Sequence, residues 1–398
     1  MAPPSQPRLT EIPEQLLEEI FLRLATPADL ARAKAACVAF RRFIADRAFL
    51  ALFRRRHSPP LLGFLDRAGF HPSSPGFFVG GDADFTFSFL PTHCRWTAVD
   101  SRDGRVLLAP TPDLVHQRFP PIFTELVVSD PLHRRYVLIP RVPLCISHGV
   151  FSEWSAPFLL PPTQEEEEDS TAFRVIWLAH NNGALSGFVF SSRTGQWVEA
   201  VARRWEDFGI TLYMATTELI QEGPLLRRHY AYGCFYWNFF TAGRIVLIVL
   251  DMRIMDFSDH DFMPAGLTME EMQDAAIVEA GDGRLGLFAM RHDGGMSELR
   301  YFIRRDMDER FASWNLVKTI PLGSGHRQSI KATTERFLLL ERGINLMQEP
   351  PTDTGIFSLN VKTLKLDKVS GLRFNSGGGG RALIYTNFPP TLLSSPTL

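Results

Sequence analysis

Apolar residues with helical spacing are concentrated in the first 56 residues. The first predicted helix starts at Pro13 and carries six apolar residues, which cover an arc of about 180° at 100° per residue: Ile12, Leu16, Leu17, Ile20, Phe21 and Leu24. A helix that packs against one core needs an apolar stripe of only about 100°. The pattern therefore predicts a helix with two apolar contacts, one with its own domain and one with another surface.

The next two helices are predicted from their N-caps. Thr26 is a good N-cap, with Pro27 in the first turn and an acidic residue, Asp29, three positions after the cap. The apolar positions of this second helix form one narrow stripe, which is sufficient for internal packing: Leu30, Ala33, Cys37, Phe40 and Ile44. A third helix is predicted from Asp46 to the basic residues 54–56. A unit this small is usually stabilised by a metal, disulfides or a partner, and the sequence favours a partner.

From about Leu61 the pattern changes to short β-branched and aromatic runs separated by turn residues. Six hairpins are predicted, at 96–109, 126–140, 187–201, 231–250, 285–303 and 336–361. Residues 85–90 are predicted either to belong to a seventh hairpin or to close a ring with the strand 382–386. About 340 residues at roughly 45–50 per blade give near seven blades. We predict a β-propeller of six or seven blades, and the uneven turn spacing leaves a β-sandwich or another β-rich domain open.

Composition and charge narrow the class of protein. The chain has 398 residues, a hydrophobic content of 45%, a charged content of 22% and a net charge of −2. These values are ordinary for a globular protein and offer no electrostatic field for nucleic acid or an anionic membrane. The longest apolar run, Ile245–Leu250, is too short to cross a bilayer.

Cysteine usage and the N-terminus predict the compartment. The four cysteines are far apart and form no CxxC pair, as expected of free thiols in a reducing environment: Cys37, Cys94, Cys145 and Cys234. Residues 1–8 are Pro-rich and lack the apolar core of a signal peptide. We therefore expect a cytoplasmic or nuclear protein that has no membrane or nucleic-acid partner.

Candidate chemistry is sparse. Asp256, Asp259, His260 and Asp261 cluster only in sequence, in a predicted loop after a strand, with no distant partner to complete a metal site. The Gly-rich residues 323–329 lack the lysine of a phosphate-binding loop. No catalytic residue, cofactor or metal is predicted, and the five acids at 165–169 are interpreted as part of a solvated loop, 161–171.

The N-terminal stretch resembles an F-box. The matching residues lie without gaps between 12 and 46: Ile12-Pro13, Leu16-Leu17, Ile20-Phe21, Leu24, Asp29-Leu30, Cys37, Phe40-Arg41-Arg42, Ile44 and Asp46. Phe40 stands where the family more often has tryptophan. Short phrases at 128–140, 190–197 and 232–237 resemble plant F-box proteins, abundant in grasses, that carry an F-box-associated propeller.

The resemblance implies a substrate-recognition subunit of an SCF-type ubiquitin ligase that makes no bonds itself. It implies an F-box of three helices at 9–56 and a β-rich domain at 57–388, and we expect a disordered N-terminus at 1–8 and a frayed tail at 389–398. The F-box would dock on a Skp-type adaptor, and through it on a cullin, by Ile12, Pro13, Leu16, Leu17, Ile20 and Leu24. The F-box core would consist of Phe21, Leu30, Ala33, Cys37, Phe40 and Ile44.

The β-rich domain would then capture a protein substrate that the sequence does not identify. Two alternatives stay open. In the first, the chain is an F-box scaffold that delivers nothing for ubiquitination. In the second, its β-rich domain contains an enzymatic or lectin-like site.

Overall fold

The computed structural model describes most of the chain. The described residues are 12–24, 26–73, 83–111, 125–142, 154–163, 171–180, 183–210, 228–241, 244–262, 264, 266–305, 313–324, 326–344, 355–370 and 382–388. The predictions for residues 1–8, for the tail 389–398 and for all but the ends of the acidic loop 161–171 lie outside these ranges. Within them, no helix combines the length and the apolar character that a bilayer span requires.

Four short helices form an N-terminal helical unit, residues 14–56. They are α1 (Glu14–Leu22), α2 (Pro27–Ala36), α3 (Val38–Ile44) and α4 (Arg47–Arg56). The predicted second helix is thus two helices, because the backbone of Cys37 is extended, with φ −155° and ψ 165°. The Cys37 Sγ accepts a hydrogen bond from the Phe40 N–H at 3.4 Å and so caps α3. A continuous apolar stripe does not reveal such a break.

The predicted helix starts are close to the observed ones. Pro13 is the N-cap of α1 rather than its first residue. The Thr26 hydroxyl accepts from the Asp29 N–H at 3.2 Å, and the Asp46 carboxylate accepts from the Ala48 N–H at 2.9 Å. These caps satisfy N–H groups that have no partner within the first turn of a helix.

The core of the helical unit includes a residue from the other end of the chain. Its buried apolar residues are Leu17, Phe21, Leu22, Leu30, Ile44, Phe49, Leu50, Phe53 and Phe388. The Phe388 ring lies edge-on to the Phe53 ring with centroids 6.3 Å apart. The Asn387 N–H donates to the Pro60 carbonyl at 3.3 Å. The residues that follow the last strand therefore help to close the helical unit.

The rest of the described chain is almost entirely antiparallel sheet. Blade 1 contains β1 (Leu61–Asp66), β2 (Gly69–Pro72) and β23 (Leu383–Thr386); blade 2 contains β3 (Trp96–Arg102), β4 (Arg105–Pro110), β5 (Leu126–Asp130) and β6 (Arg135–Ile139). Blade 3 contains β7 (Trp154–Leu159), β8 (Arg174–His180), β9 (Ala184–Ser191) and β10 (Gln196–Arg204). A short 3₁₀ helix, Trp205–Phe208, follows β10.

The remaining three blades have the same four-stranded plan. Blade 4 contains β11 (Arg228–Ala231), β12 (Cys234–Thr241), β13 (Arg244–Asp251) and β14 (Asp256–Asp261). Blade 5 contains β15 (Ala275–Glu279), β16 (Leu285–Asp293), β17 (Met296–Arg305) and β18 (Ser313–Ser324), preceded by helix α5 (Met269–Gln273). Blade 6 contains β19 (His326–Thr333), β20 (Phe337–Ile344), β21 (Gly355–Asn360) and β22 (Leu366–Ser370).

These six sheets form a six-bladed β-propeller. The inner strands contact one another in succession around a central channel, with β23 lying between β19 and β3 and with Arg228 of β11 lying over Phe158 of β7. Blade 1 is shared by both ends of the chain, because β23 pairs with β1. The prediction of a propeller is confirmed, and six is the lower of the two predicted blade numbers.

Residues 85–90 do not contribute a strand to the propeller. They form turns in which the Phe85 ring stacks on Phe70, with centroids 3.7 Å apart, and lies edge-on to Tyr385. Both predicted roles for this segment are therefore wrong. The strand that closes the ring with β23 is β1, the first β-run after the helical unit.

Candidate functional site

The outer face of α1 presents two large apolar side chains. Leu16 is 50% exposed and Ile20 is 49% exposed. They are four residues apart, so they lie on the same face of the helix. On the other face, Leu17 and Phe21 are buried in the core of the helical unit. Thus α1 has an apolar surface beyond its own core, and its contact with another surface stays a prediction.

The other residues predicted to bind a partner are placed differently. Pro13 is exposed, whereas Ile12 and Leu24 are half-buried and pack against the core. The prediction that Leu17 binds a partner is corrected, because Leu17 lies inside the core of the helical unit and leaves little surface for a partner. The exposed apolar set therefore reduces to Pro13, Leu16 and Ile20.

The residues predicted to form the core of the helical unit are only part of the core that the structure shows. Phe21, Leu30 and Ile44 are buried, whereas Ala33 and Phe40 are half-buried at its edge. Cys37, which is half-buried, acts as the N-cap of α3. The prediction omitted six core residues: Leu17, Leu22, Phe49, Leu50, Phe53 and Phe388. The spacing within α4 could have revealed three of them, but nothing in the sequence links Phe388 to the helices.

The central channel of the propeller contains a cavity of about 130 Å³. Its lining comes from the inner strands of blades 1, 2, 4, 5 and 6 and includes Asp100, Arg102, Arg228, Tyr230 and Asp274. Opposite charges therefore converge in one narrow space. Converging polar groups in a cavity make this channel the candidate position for a site in the β-rich domain.

An ion pair crosses this channel. The carboxylate of Asp100 on β3 is paired with the guanidinium of Arg228 on β11, and each side chain is only 9% exposed. The second carboxylate oxygen accepts from the Leu159 N–H of β7 at 2.7 Å. The Arg228 guanidinium also lies over the Phe158 ring, 4.5 Å from its centroid. Asp100 thus connects the inner strands of three successive blades.

A second ion pair lies beside the first. Arg102 Nη1 donates to the Glu335 carboxylate at 2.9 Å, and its guanidinium lies over the Tyr230 ring, 4.5 Å from the centroid. Burial opposes the charge of Arg102, but Glu335, Asp103 and Asp100 outweigh it and raise the pKa of Arg102. Burial raises the pKa of Tyr230, so its phenol is neutral at physiological pH.

Both acidic residues of the lining are engaged. Asp100 is held as described, and the Asp274 carboxylate accepts from the Ile330 N–H at 2.9 Å. Both carboxylates are thus held in place by their hydrogen-bond donors. The arrangement joins the blades across the channel. It is better suited to bracing the ring than to transferring protons.

The acidic sequence cluster at 256–261 lies on a strand rather than in a loop. Its first member, Asp256, is held by Arg203 through two hydrogen bonds of 2.7 and 3.1 Å. Adjacent side chains of a strand point to opposite faces, so Asp259 and His260 lie on different faces of the sheet. Within the described ranges no group of three or more His, Cys, Asp or Glu side chains is placed to hold a metal ion.

No family model and no curated protein matches this sequence. Some solved structures are similar at low identity. The intramolecular trans-sialidase from Ruminococcus gnavus is 8% identical, with a TM-score of 0.32, over 55% of this chain and 45% of that one. An oligogalacturonate lyase in complex with manganese is 8% identical, with a TM-score of 0.33, over 68% and 63%.

A mutant of the GH43 protein BlXynB from Bacillus licheniformis is 11% identical, with a TM-score of 0.28, over 80% of this chain and 60% of that one. The chain therefore spans less than two thirds of the length of these three structures. Likenesses this remote carry no argument about activity. The assignment of six blades rests on the strand pairing described above.

Proposed function

We propose that this protein is the substrate-recognition subunit of an SCF-type ubiquitin ligase. In this proposal the helical unit binds a Skp-type adaptor and the propeller captures a protein substrate. The observation that carries it is the exposed pair Leu16 and Ile20, on a helix whose opposite face is already filled by its own core. The resemblance of residues 12–46 to an F-box supports the same partner.

The mechanism would be one of proximity. The adaptor and cullin would hold a ubiquitin-charged enzyme near a substrate held by the propeller, which raises the effective concentration of the target lysine. This requires the two ends of the receptor to be joined firmly. The packing of Phe388 against Phe53, next to the strand that closes the propeller, supplies such a joint.

The Leu16→Asp variant of the full-length chain is expected to lose binding to a Skp-type adaptor by at least about tenfold. A carboxylate at this position would be buried against an apolar surface without a partner, which is costly. Co-purification with the adaptor and cullin, followed by titration calorimetry, measures the loss. Because Leu16 is half exposed, the thermal unfolding of the variant should be unchanged.

The matched control is Ile254→Asp, which introduces the same charge at an exposed apolar residue far along the chain, between β13 and β14. This variant is expected to bind the adaptor normally. Normal adaptor binding by a folded Leu16→Asp variant would show that α1 is not the docking surface. Binding lost equally in both variants would point to a general effect of added charge.

A further inference from the structure

The outer strand of a propeller blade has an unpaired edge, and proteins usually protect such edges with charges, prolines or irregular pairing. Five of the six outer strands here are protected in this way. β2 ends in Pro72, β10 carries Glu199 and a register shift, and β14 carries Asp256 and Asp259. β18 carries Lys318, Pro321 and two register shifts, and β22 carries Asp367, Lys368 and one register shift.

The remaining outer strand, β6, is the least protected: its one charge is Arg135 at its first residue, and it contains no proline and no register shift. It pairs with β5 over all five of its residues without a register shift. After its first residue, Arg135, it contains only Tyr136, Val137, Leu138 and Ile139. Of these, Tyr136 is 39%, Val137 is 37% and Leu138 is 53% exposed. In the described part of the chain, no strand pairs with the outer edge of β6.

We propose that the outer edge of β6 captures an extended peptide segment of a partner protein, which adds to blade 2 as a fifth antiparallel strand. In a strand, alternate residues direct their N–H and C=O groups away from the neighbour already paired. An added strand satisfies these groups, and side chains at alternate positions provide specificity. The three exposed apolar side chains supply the surface that such a segment would bury.

The side chains on the two faces of blade 2 determine which residues a bound segment would contain. Tyr136 lies beside the Phe89 ring, with centroids 6.3 Å apart, so one face offers an aromatic surface. Val137 alternates to the opposite face of the sheet. A segment with apolar or β-branched residues at alternate positions fits such a surface, because cross-strand apolar pairs stabilise a sheet.

Arginine residues at both ends of β6 determine which charges the flanks of the segment would need. Arg134 and Arg135 precede the apolar residues and Arg141 follows them. Arg134 lies 3.5 Å from Asp84 and Arg141 is paired with Glu125, but both side chains are at least half exposed. A partner segment with acidic residues on either side of its apolar run would therefore be attracted at both ends.

The same charges argue against a second copy of this chain. Two β6 strands pairing antiparallel about Val137 would bring the Arg134–Arg135 pair of each copy next to the Arg141 of the other. Like charges placed so close destabilise a strand pair. The inference depends only on the propeller. If the proposed function also holds, the captured segment belongs to the ubiquitination substrate.

The test uses the full-length chain and fluorescent peptides that alternate valine and threonine, flanked by glutamate and aspartate at both ends. Matched peptides carry lysine flanks or N-methyl groups on alternate backbone nitrogens. The acidic-flanked peptide is expected to bind at least about tenfold more tightly than the lysine-flanked one. One of the N-methylated registers is expected to lose binding, and amide hydrogen exchange at residues 135–139 should slow when the acidic-flanked peptide binds.

The Leu138→Lys variant places a charge on the exposed edge and is expected to weaken binding of the acidic-flanked peptide by at least about tenfold. Its matched control is Val198→Lys at an exposed position of β10, which should bind normally. Equal binding by the two variants, or unchanged exchange at 135–139, would overturn the proposal. Self-association of the chain that Leu138→Lys abolishes would assign the edge to a second copy instead. Because no adaptor is present, failure here would leave the proposed function untouched.

Discussion

Replacement of Asp100 by alanine is expected to lower the free energy of unfolding by about 3–5 kcal/mol. The substitution leaves the guanidinium of Arg228, which is only 9% exposed, without its carboxylate partner. A buried charge without compensation is far more destabilising than the ion pair itself is stabilising. The variant also removes the acceptor of the Leu159 N–H, a bond of 2.7 Å between blades 2 and 3.

Two further variants separate these contributions. Asp100→Asn retains an oxygen acceptor for the Leu159 N–H but not the negative charge. It should therefore lower the free energy of unfolding by less than Asp100→Ala does. The double variant Asp100→Ala with Arg228→Leu removes the uncompensated charge. It is therefore expected to be more stable than Asp100→Ala alone. Urea unfolding of the full chain, followed by tryptophan fluorescence, measures all three.

The matched control is Asp256→Ala, which breaks the ion pair with Arg203 on the outer strands. Both side chains of that pair are partly exposed to solvent, so the expected change is about 0–1 kcal/mol. Equal losses for Asp100→Ala and Asp256→Ala would show that the channel does not isolate its charges from water. A double variant less stable than Asp100→Ala would contradict the argument about uncompensated charge.

Much of the propeller could be predicted because hairpin turns have local signals. Asp103 and Gly104 both adopt positive φ, at 50° and 78°, between β3 and β4. A two-residue turn of this kind requires positive φ at both central positions, and an Asp-Gly pair meets that requirement. All six predicted hairpins are present as strand pairs. The blade count stayed between six and seven because residues 85–90 have the aromatic composition of a strand.

The candidate site could be predicted only where its residues lie close together in the sequence. The wide apolar arc of α1 follows from spacing within 13 residues, and its exposed half is real. The ion pairs of the channel join residues that are far apart, such as Arg102 and Glu335, which are separated by 233 positions. No periodicity relates such residues, because the closure of the ring alone brings them together. The break at Cys37 was missed because an extended residue can interrupt a helix without interrupting its apolar stripe.

The Phe388→Ala variant should destabilise the helical unit selectively, by about 3–5 kcal/mol. The Phe388 ring is buried in the core of that unit, edge-on to the fully buried Phe53. A unit of four short helices buries too little surface to tolerate a large cavity. The propeller, whose core lies mostly in the packing between blades, should be much less affected.

Hydrogen exchange on the full chain distinguishes these regions. In Phe388→Ala, exchange should accelerate throughout 14–56 and stay near its original rate in blades 3 and 4, which lie far from Phe388 in the ring. Phe388→Leu, which keeps most of the apolar volume, should show a smaller effect. Unchanged exchange in 14–56 would mean that the four helices are stable without the C-terminal residue. Accelerated exchange there would show that Phe388, which follows the closing strand β23, stabilises the helical unit. Loss of ring closure would then also weaken the surface formed by Leu16 and Ile20.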